Sequence, residues 1–398
     1  EPVIFRQYHE KKFGTPTMGG ILIWISIFAT VLVSRGLSYL GFVDASLLQR
    51  GQVYLPLFVL FSMGVLGALD DYFNIVSSSE ERINQAMPAL KRVLIWSAAL
   101  TVLAAGALLW FGGGVPGEIS SLGSIGAIVS VLLVLALLLL LRTGGAMLDG
   151  VFRRVVLSQG KRRGLGAFPK LFSLLFISII GALWFYFKLG YSSVAVPFYG
   201  SIDIGPWYIL LFIFILLATS NSVNVTDGLD GLAGGLLVIA FGGFGLLAYL
   251  QGFTVLAAFC AVTVGAVAAF LWHNVPPALF YMGDTGALAL GGTLGVIALM
   301  TDQVLLLPLI GFVFVIEMLS VIIQLLSKKL RGGEKIFKAA PYHHHLEALE
   351  WGESKVTMRL WIIGACAALF GVLIGIRGYP THSISVPEPS SAEVIVLP

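Results

Sequence analysis

Runs of apolar residues long enough to cross a bilayer constrain this chain before anything else in it does. A helix needs about 20 residues to span the hydrocarbon. Runs near that length, bounded by polar loops, fall near 19–35, 52–69, 93–112, 124–142, 171–187, 207–220, 232–250, 253–273, 285–300, 304–326 and 360–376, eleven candidate spans. A soluble domain carries roughly a quarter charged residues. Here 11% are charged, 58% are hydrophobic, and the mean hydropathy is +0.94. The expected fold class is therefore all-α: a polytopic membrane helix bundle of about eleven transmembrane segments, one integral-membrane domain over 1–398. Cys260 and Cys366 sit in separate apolar stretches, so neither a disulfide framework nor a metal cluster is expected of them. The chain starts at Glu1 with no cleavable signal peptide, and N-terminal sequence is expected to be missing.

The net charge of +3 says little; where the charges lie says more. One alternating set of loops (1–18, 70–92, 142–170, 221–231, 274–284 and 327–359) holds twenty of the 24 Lys and Arg. The other set holds only Arg35, Arg50, Lys188 and Arg377. Basic loops resist translocation, so the first set is expected in the cytoplasm. Asp70, Asp71, Asn221, Asn224, Asp227, Asp230, Asp284, His343, His344 and His345 all fall on that side. A transporter would hold its ionisable groups near the midplane, often beside broken helices. Groups gathered at one surface suit an interfacial enzyme, where a water-soluble substrate meets a lipid headgroup.

Each motif has a plain structural alternative. Asp70-Asp71, in GALDDYFN, reads as a solvated helix end or as a magnesium ligand or base, since magnesium prefers hard oxygen donors. NSVNVTDGLDGLAGG is more specific. Asn224, Asp227 and Asp230 are spaced i, i+3, i+6 and lie on neighbouring helix faces, which a simple polar cap does not require. In YMGDTG, Asp284 could cap the following helix or hold a metal, with Tyr281 as an aromatic plate for a nucleobase. GTPTMGG follows Lys11 and Lys12, and its backbone and Thr17 could cradle phosphate. His343, His344 and His345 cannot share one helical face and have no Cys beside them, which argues against structural zinc and for phosphate or proton handling. Acids, cations and one membrane surface together point to phosphoryl transfer, which needs positioning and charge neutralisation.

These residues resemble the polyprenyl-phosphate N-acetylhexosamine-1-phosphate transferase superfamily. The marks are GTPTMGG at 14–20, LDDY at 69–72, NSVNVTDGLDGLA at 221–233, FYMGDTG at 280–286 and PYHHHLE at 341–347. PYHHHLEALEWGE favours the muramoyl-pentapeptide branch over the GlcNAc-phosphate branch. The resemblance implies ten spans, magnesium, UDP-MurNAc-pentapeptide as donor and undecaprenyl phosphate as acceptor. It also implies a homodimer in the bacterial inner membrane, with its site on the cytoplasmic face and a part in peptidoglycan synthesis. No nucleic-acid partner is expected. Carried over, Asp284 would hold magnesium with help from Asp227 and Asp230, and Asp70 and Asp71 would engage or deprotonate the lipid phosphate. Lys12, Thr17 and Lys170 would bind phosphates, Asn221 and Asn224 would contact or position the donor, and Tyr281 would stack on uracil. His343, with His344 and His345 beside it, would meet the donor's phosphate or sugar.

The chain departs from the family in three ways. The first family span is absent, and Asn74 stands where a Lys is common. The family's GL-x-x-x-x-K loop recurs only at Gly164 to Lys170, so 77–163 reads as an insertion with two extra spans, which accounts for eleven. Two rivals remain at this stage: a UDP-GlcNAc-using relative, and an ion-coupled transporter.

Overall fold

The computed structural model describes residues 15–43, 46–48, 51–76 and 167–378. The expected spans at 93–112 and 124–142, the 77–163 insertion and Lys12 lie outside the described residues. Helices α1 (Gly20–Tyr39), α2 (Tyr54–Val76) and α3 (Ala167–Leu183) come first, α3 running into a π turn over Trp184–Lys188. A hairpin of β1 (Ser193–Val196) and β2 (Gly200–Asp203) follows. Then come α4 (Trp207–Thr226), α5 (Leu232–Leu250), α6 (Thr254–Asn274) and α7 (Gly283–Met300). The chain continues through α8 (Leu307–Ile310), α9 (Phe312–Leu330), α10 (Tyr342–Glu347) and α11 (Glu353–Gly378).

Eight of these helices are long and apolar enough to cross a membrane, and a bent pair brings the number to nine among the described residues. The protein is a multi-pass membrane bundle, as expected. One expectation is corrected: the run 304–326 is not a straight span. Val304–Ile310 and Phe312–Leu330 meet at 84°. Pro308 sits in the first turn of α8, and Gly311 at φ −99, ψ 29 ends one helix and starts the next. Proline cannot donate to the ladder and glycine tolerates the break.

The core is built around α7, in which every residue from Thr285 to Met300 is buried. Its Gly, Ala and Thr content lets α1, α2 and α4 approach closely, as in other membrane bundles. A Cβ on Gly67 would overlap the Asp284 carbonyl, and one on Gly20 would overlap the Gly286 backbone. Hydroxyls inside the spans bond back to their own helix: Thr219 to Ile215 O at 2.8 Å, Thr263 to Phe259 O at 2.9 Å, Thr293 to Ala289 O at 2.7 Å. That is how polar atoms are satisfied where water is absent. At one end of the bundle the hairpin pairs Ser193 with Asp203 through Val196 with Gly200, and Phe198 N–H donates to Gly378 O at 2.6 Å. The loops at the opposite end carry the acidic residues.

Candidate active site

The C-terminal ends of α2 and α4 and the N-terminal ends of α3 and α7 converge at that acidic end. Asp70 and Asp71 close α2, and each is only 5% exposed. Lys170, from the first turn of α3, donates to Asp70 Oδ2 at 3.1 Å and also pairs with Asp284 Oδ2. Asn224, near the end of α4, donates to the other oxygen, Asp284 Oδ1. One ammonium therefore bridges two carboxylates that lie 214 positions apart in the chain. Buried carboxylates need such partners, because an unpaired one is held out of water at a large cost.

Asp71 has a different task. It accepts the Asp284 N–H at 3.1 Å, the Thr285 N–H at 3.0 Å and the Thr285 hydroxyl at 2.6 Å. A carboxylate from α2 thus caps the N-terminus of α7, where free N–H groups and the helix dipole favour negative charge. Gly283 precedes Asp284 at φ 70, a left-handed turn, and a Cβ there would meet the Thr17 hydroxyl at 2.9 Å. Thr17 therefore stands beside Asp71. The segment 16–20 is sewn to 281–282: Tyr281 N–H donates to Pro16 O at 2.9 Å, and Gly19 N–H to Tyr281 O at 2.8 Å.

Asp227 Oδ2 accepts the Gly283 N–H at 3.2 Å, which places this acid next to Asp284. Burial, and the Asp284 charge beside it, hold its carboxyl well above the usual carboxylate range. Asp230 turns aside: its Oδ2 accepts the Ala278 N–H at 3.0 Å, while its own N–H donates to Glu353 Oε1 at 2.9 Å. Asn221 donates to Leu217 O at 2.7 Å, one turn back on its own helix, and lines an apolar cleft of about 450 Å³. Phe214, Leu217, Leu294, Phe314, Met318 and Ile322 form part of that cleft's wall.

The three histidines diverge, as three consecutive helical residues must. His343 is fully buried against Glu317, Nδ1 to Oε2 at 3.0 Å. His344 pairs with Glu347 at 2.7 Å, and His345 Nδ1 accepts the Lys338 N–H at 3.2 Å. The structure thus brings Asp70, Asp71, Asp227, Asp284, Asn224, Lys170 and Thr17 together, while Asn221 and Asp230 bond neighbouring backbone and His344 and His345 pair within their own segment. Three contributors were not singled out from the sequence: Thr285, Glu353 and Glu317. Glu317 carried a signal, as the one acid in the apolar run FVFVIEMLSVII.

Among the described residues no three His, Cys, Asp or Glu side chains form a ready metal cage. The donor set nevertheless fits magnesium. Asp284 and Asp227 lie side by side and offer hard oxygens, and the Lys170 ammonium on Asp284 shows that cationic charge is matched there.

The Glycosyl transferase family 4 profile matches residues 132–302. Phospho-N-acetylmuramoyl-pentapeptide-transferase of Chloroflexus aurantiacus is 34% identical over 396 residues, covering 96% of this chain and 83% of its own length. The enzymes of that name from Geobacillus sp. (strain WCH70) and Staphylococcus aureus are 35% and 32% identical, over 92% and 93% of this chain and 85% and 88% of theirs. With its motifs brought together as the acidic site requires, and with relatives matched along nearly its whole length, the chain belongs to the phospho-N-acetylmuramoyl-pentapeptide-transferase family.

Proposed function

We propose that this protein transfers phospho-MurNAc-pentapeptide from UDP-MurNAc-pentapeptide to undecaprenyl phosphate, releasing UMP. The observation that carries the reading is the Lys170 bridge between Asp70 and Asp284, with Asn224 on the remaining oxygen. It gathers acids, a cation and an amide at one mouth of a membrane bundle. In the step proposed, an oxygen of the lipid phosphate forms a bond to the donor's β-phosphorus. The bond from that phosphorus to the bridging oxygen breaks, and UMP leaves with the electron pair. Asp70 suits the acceptor's phosphate better than Asp71, whose oxygens are engaged by the start of α7. Lys170, Thr17 and Lys12 would neutralise phosphate oxygens, Asn224 would orient the donor, and Tyr281 would stack on uracil. Asp284 and Asp227 would hold magnesium, which when bound offsets phosphate charge in the transition state.

The apolar cleft supports a lipid acceptor. Asn221 lines it and Asn224 bonds Asp284, so the cleft reaches within about one helical turn, roughly 5 Å, of the acidic cluster. The twenty-to-four division of Lys and Arg supports a site facing the cytoplasm. Purified protein given undecaprenyl phosphate and UDP-MurNAc-pentapeptide should release UMP. Release with UDP-GlcNAc alone would overturn the donor assignment. Reporter cysteines near Asp71, Asp227, Asp284 and His344 should label from the cytoplasmic side and one near Asp203 from the outside. Any of the first four accessible only from outside would break the site apart.

A further inference from the structure

We infer that Glu317 is a positioning residue for the transfer and acts through His343, a role that rests on the transferase reading above. Glu317 lies in α9, inside the bent span, and both it and His343 are 0% exposed. A carboxylate in an apolar span is costly unless its oxygens are matched. Here Oε1 accepts the His343 main-chain N–H at 3.1 Å, and Oε2 meets the ring Nδ1 at 3.0 Å. A carboxylate can only accept, so the proton belongs on Nδ1. Main-chain and ring contacts to one carboxylate leave the imidazole a single orientation.

That orientation turns Nε2 to Gly228, in the turn between Asp227 and Asp230. A Cβ on Gly228 would overlap Nε2, so ring and turn are fitted to each other. Nε2 is buried and has no hydrogen-bond partner among the described residues. Leaving a buried polar atom unmatched is unfavourable, and an apolar ring of the same shape would avoid that cost. The nitrogen is thus kept under the turn that presents Asp227. It suits a hydrogen bond to a phosphate or sugar oxygen of the donor once that turn shifts off the ring. Glu317 touches no substrate; it sets which nitrogen His343 offers and where.

The test uses the full-length purified protein, with UMP release giving kcat and KM for UDP-MurNAc-pentapeptide and Tm measured alongside. Glu317→Gln keeps the shape and removes the charge. It should lower kcat on the order of tenfold or more, as loss of an orienting partner does elsewhere. KM should change by less than about threefold, because the lost contact matters in the transition state. His343→Asn should cost a similar factor, and the double variant Glu317→Gln/His343→Asn should be no worse than His343→Asn alone. Glu317→Asp, which restores a carboxylate, should recover part of the loss. Losses that multiply in the double variant, or wild-type kcat in Glu317→Gln, would overturn the proposal. If Glu317→Gln fails to fold, the comparison of Glu317→Asp with and without His343→Asn decides by the same criterion. Should the wild type release no UMP from any nucleotide-sugar, the transferase reading fails. The Glu317 inference, which concerns turnover and not binding, falls with it, whereas wild-type release together with undiminished kcat in Glu317→Gln overturns the inference alone.

Discussion

At the acidic end of the bundle Asp70 and Asp284 crowd round the Lys170 ammonium, with Asp227 alongside. At the opposite end Asp302 lies beneath the hairpin and accepts the Ala195 N–H at 3.1 Å. Both ends bury carboxyls, yet they are built on different terms. Asp302 serves one backbone donor, faces the Tyr191 and Tyr208 hydroxyls, and burial pushes its carboxyl up to about 6. It pins a strand, a local task. Asp70 and Asp284 come from two helices and share the Lys170 ammonium, so neither can change without altering the other's partner. Sharing of charge between distant segments, more than burial alone, separates a reaction site from a structural anchor.

The comparison is broken most directly by removing Asp284. Asp284→Ala should lower kcat by on the order of 10²–10³-fold, the scale on which one preorganised electrostatic group acts. Near wild-type UMP release at saturating magnesium would take Asp284 out of the site. Lys170→Met should also cost turnover, because Asp70 and Asp284 would then face each other without their shared cation. Asp70→Asn in that background should restore part of the lost Tm; no recovery would mean that the bridge is not a shared one. Next in size is Gly67→Val, which drives a side chain into the backbone at the start of α7. Overpacking of this kind costs about 1–3 kcal/mol. Both Tm and kcat should fall, and a stable, fully active variant would show that the contact between α2 and α7 does not set the site.

The smallest effect belongs to the opposite end. Asp302 has a folded value of about 6 against an ordinary 3.8, so the folded state binds its proton more tightly. Stability linked to this group therefore falls as pH rises from about 4 to about 6 and is flat above. Asp302→Asn cannot ionise and can still accept the Ala195 N–H. Its Tm should exceed wild type by about 2 °C at pH 8 and match it at pH 4, with UMP release unaffected. An equal gain at both pH values would mean that ionisation is not the cause.

Among the described residues the apolar runs other than 304–326 marked the long helices, because a segment in hydrocarbon must satisfy its backbone internally and a helix does so. The grouping of Asp70, Asp227, Asp284 and the histidines on one side was likewise legible in the loops and their charges. What the sequence left open was who partners whom. Asp71 caps a helix that begins 212 positions later, at Gly283, and Asp230 supports the loop at Ala278, partners that a carboxylate's residue type does not state. Glu317 was visible as a lone acid in an apolar run, but only packing revealed that it holds His343. Pro308 and Gly311 lay inside the run read as one span at 304–326, and the 84° bend there emerged only in the fold. Local chemistry and hydrophobic length are written residue by residue. Partnership between distant polar groups arises only when close-packed helices, drawn together by small side chains, bring their ends to one surface.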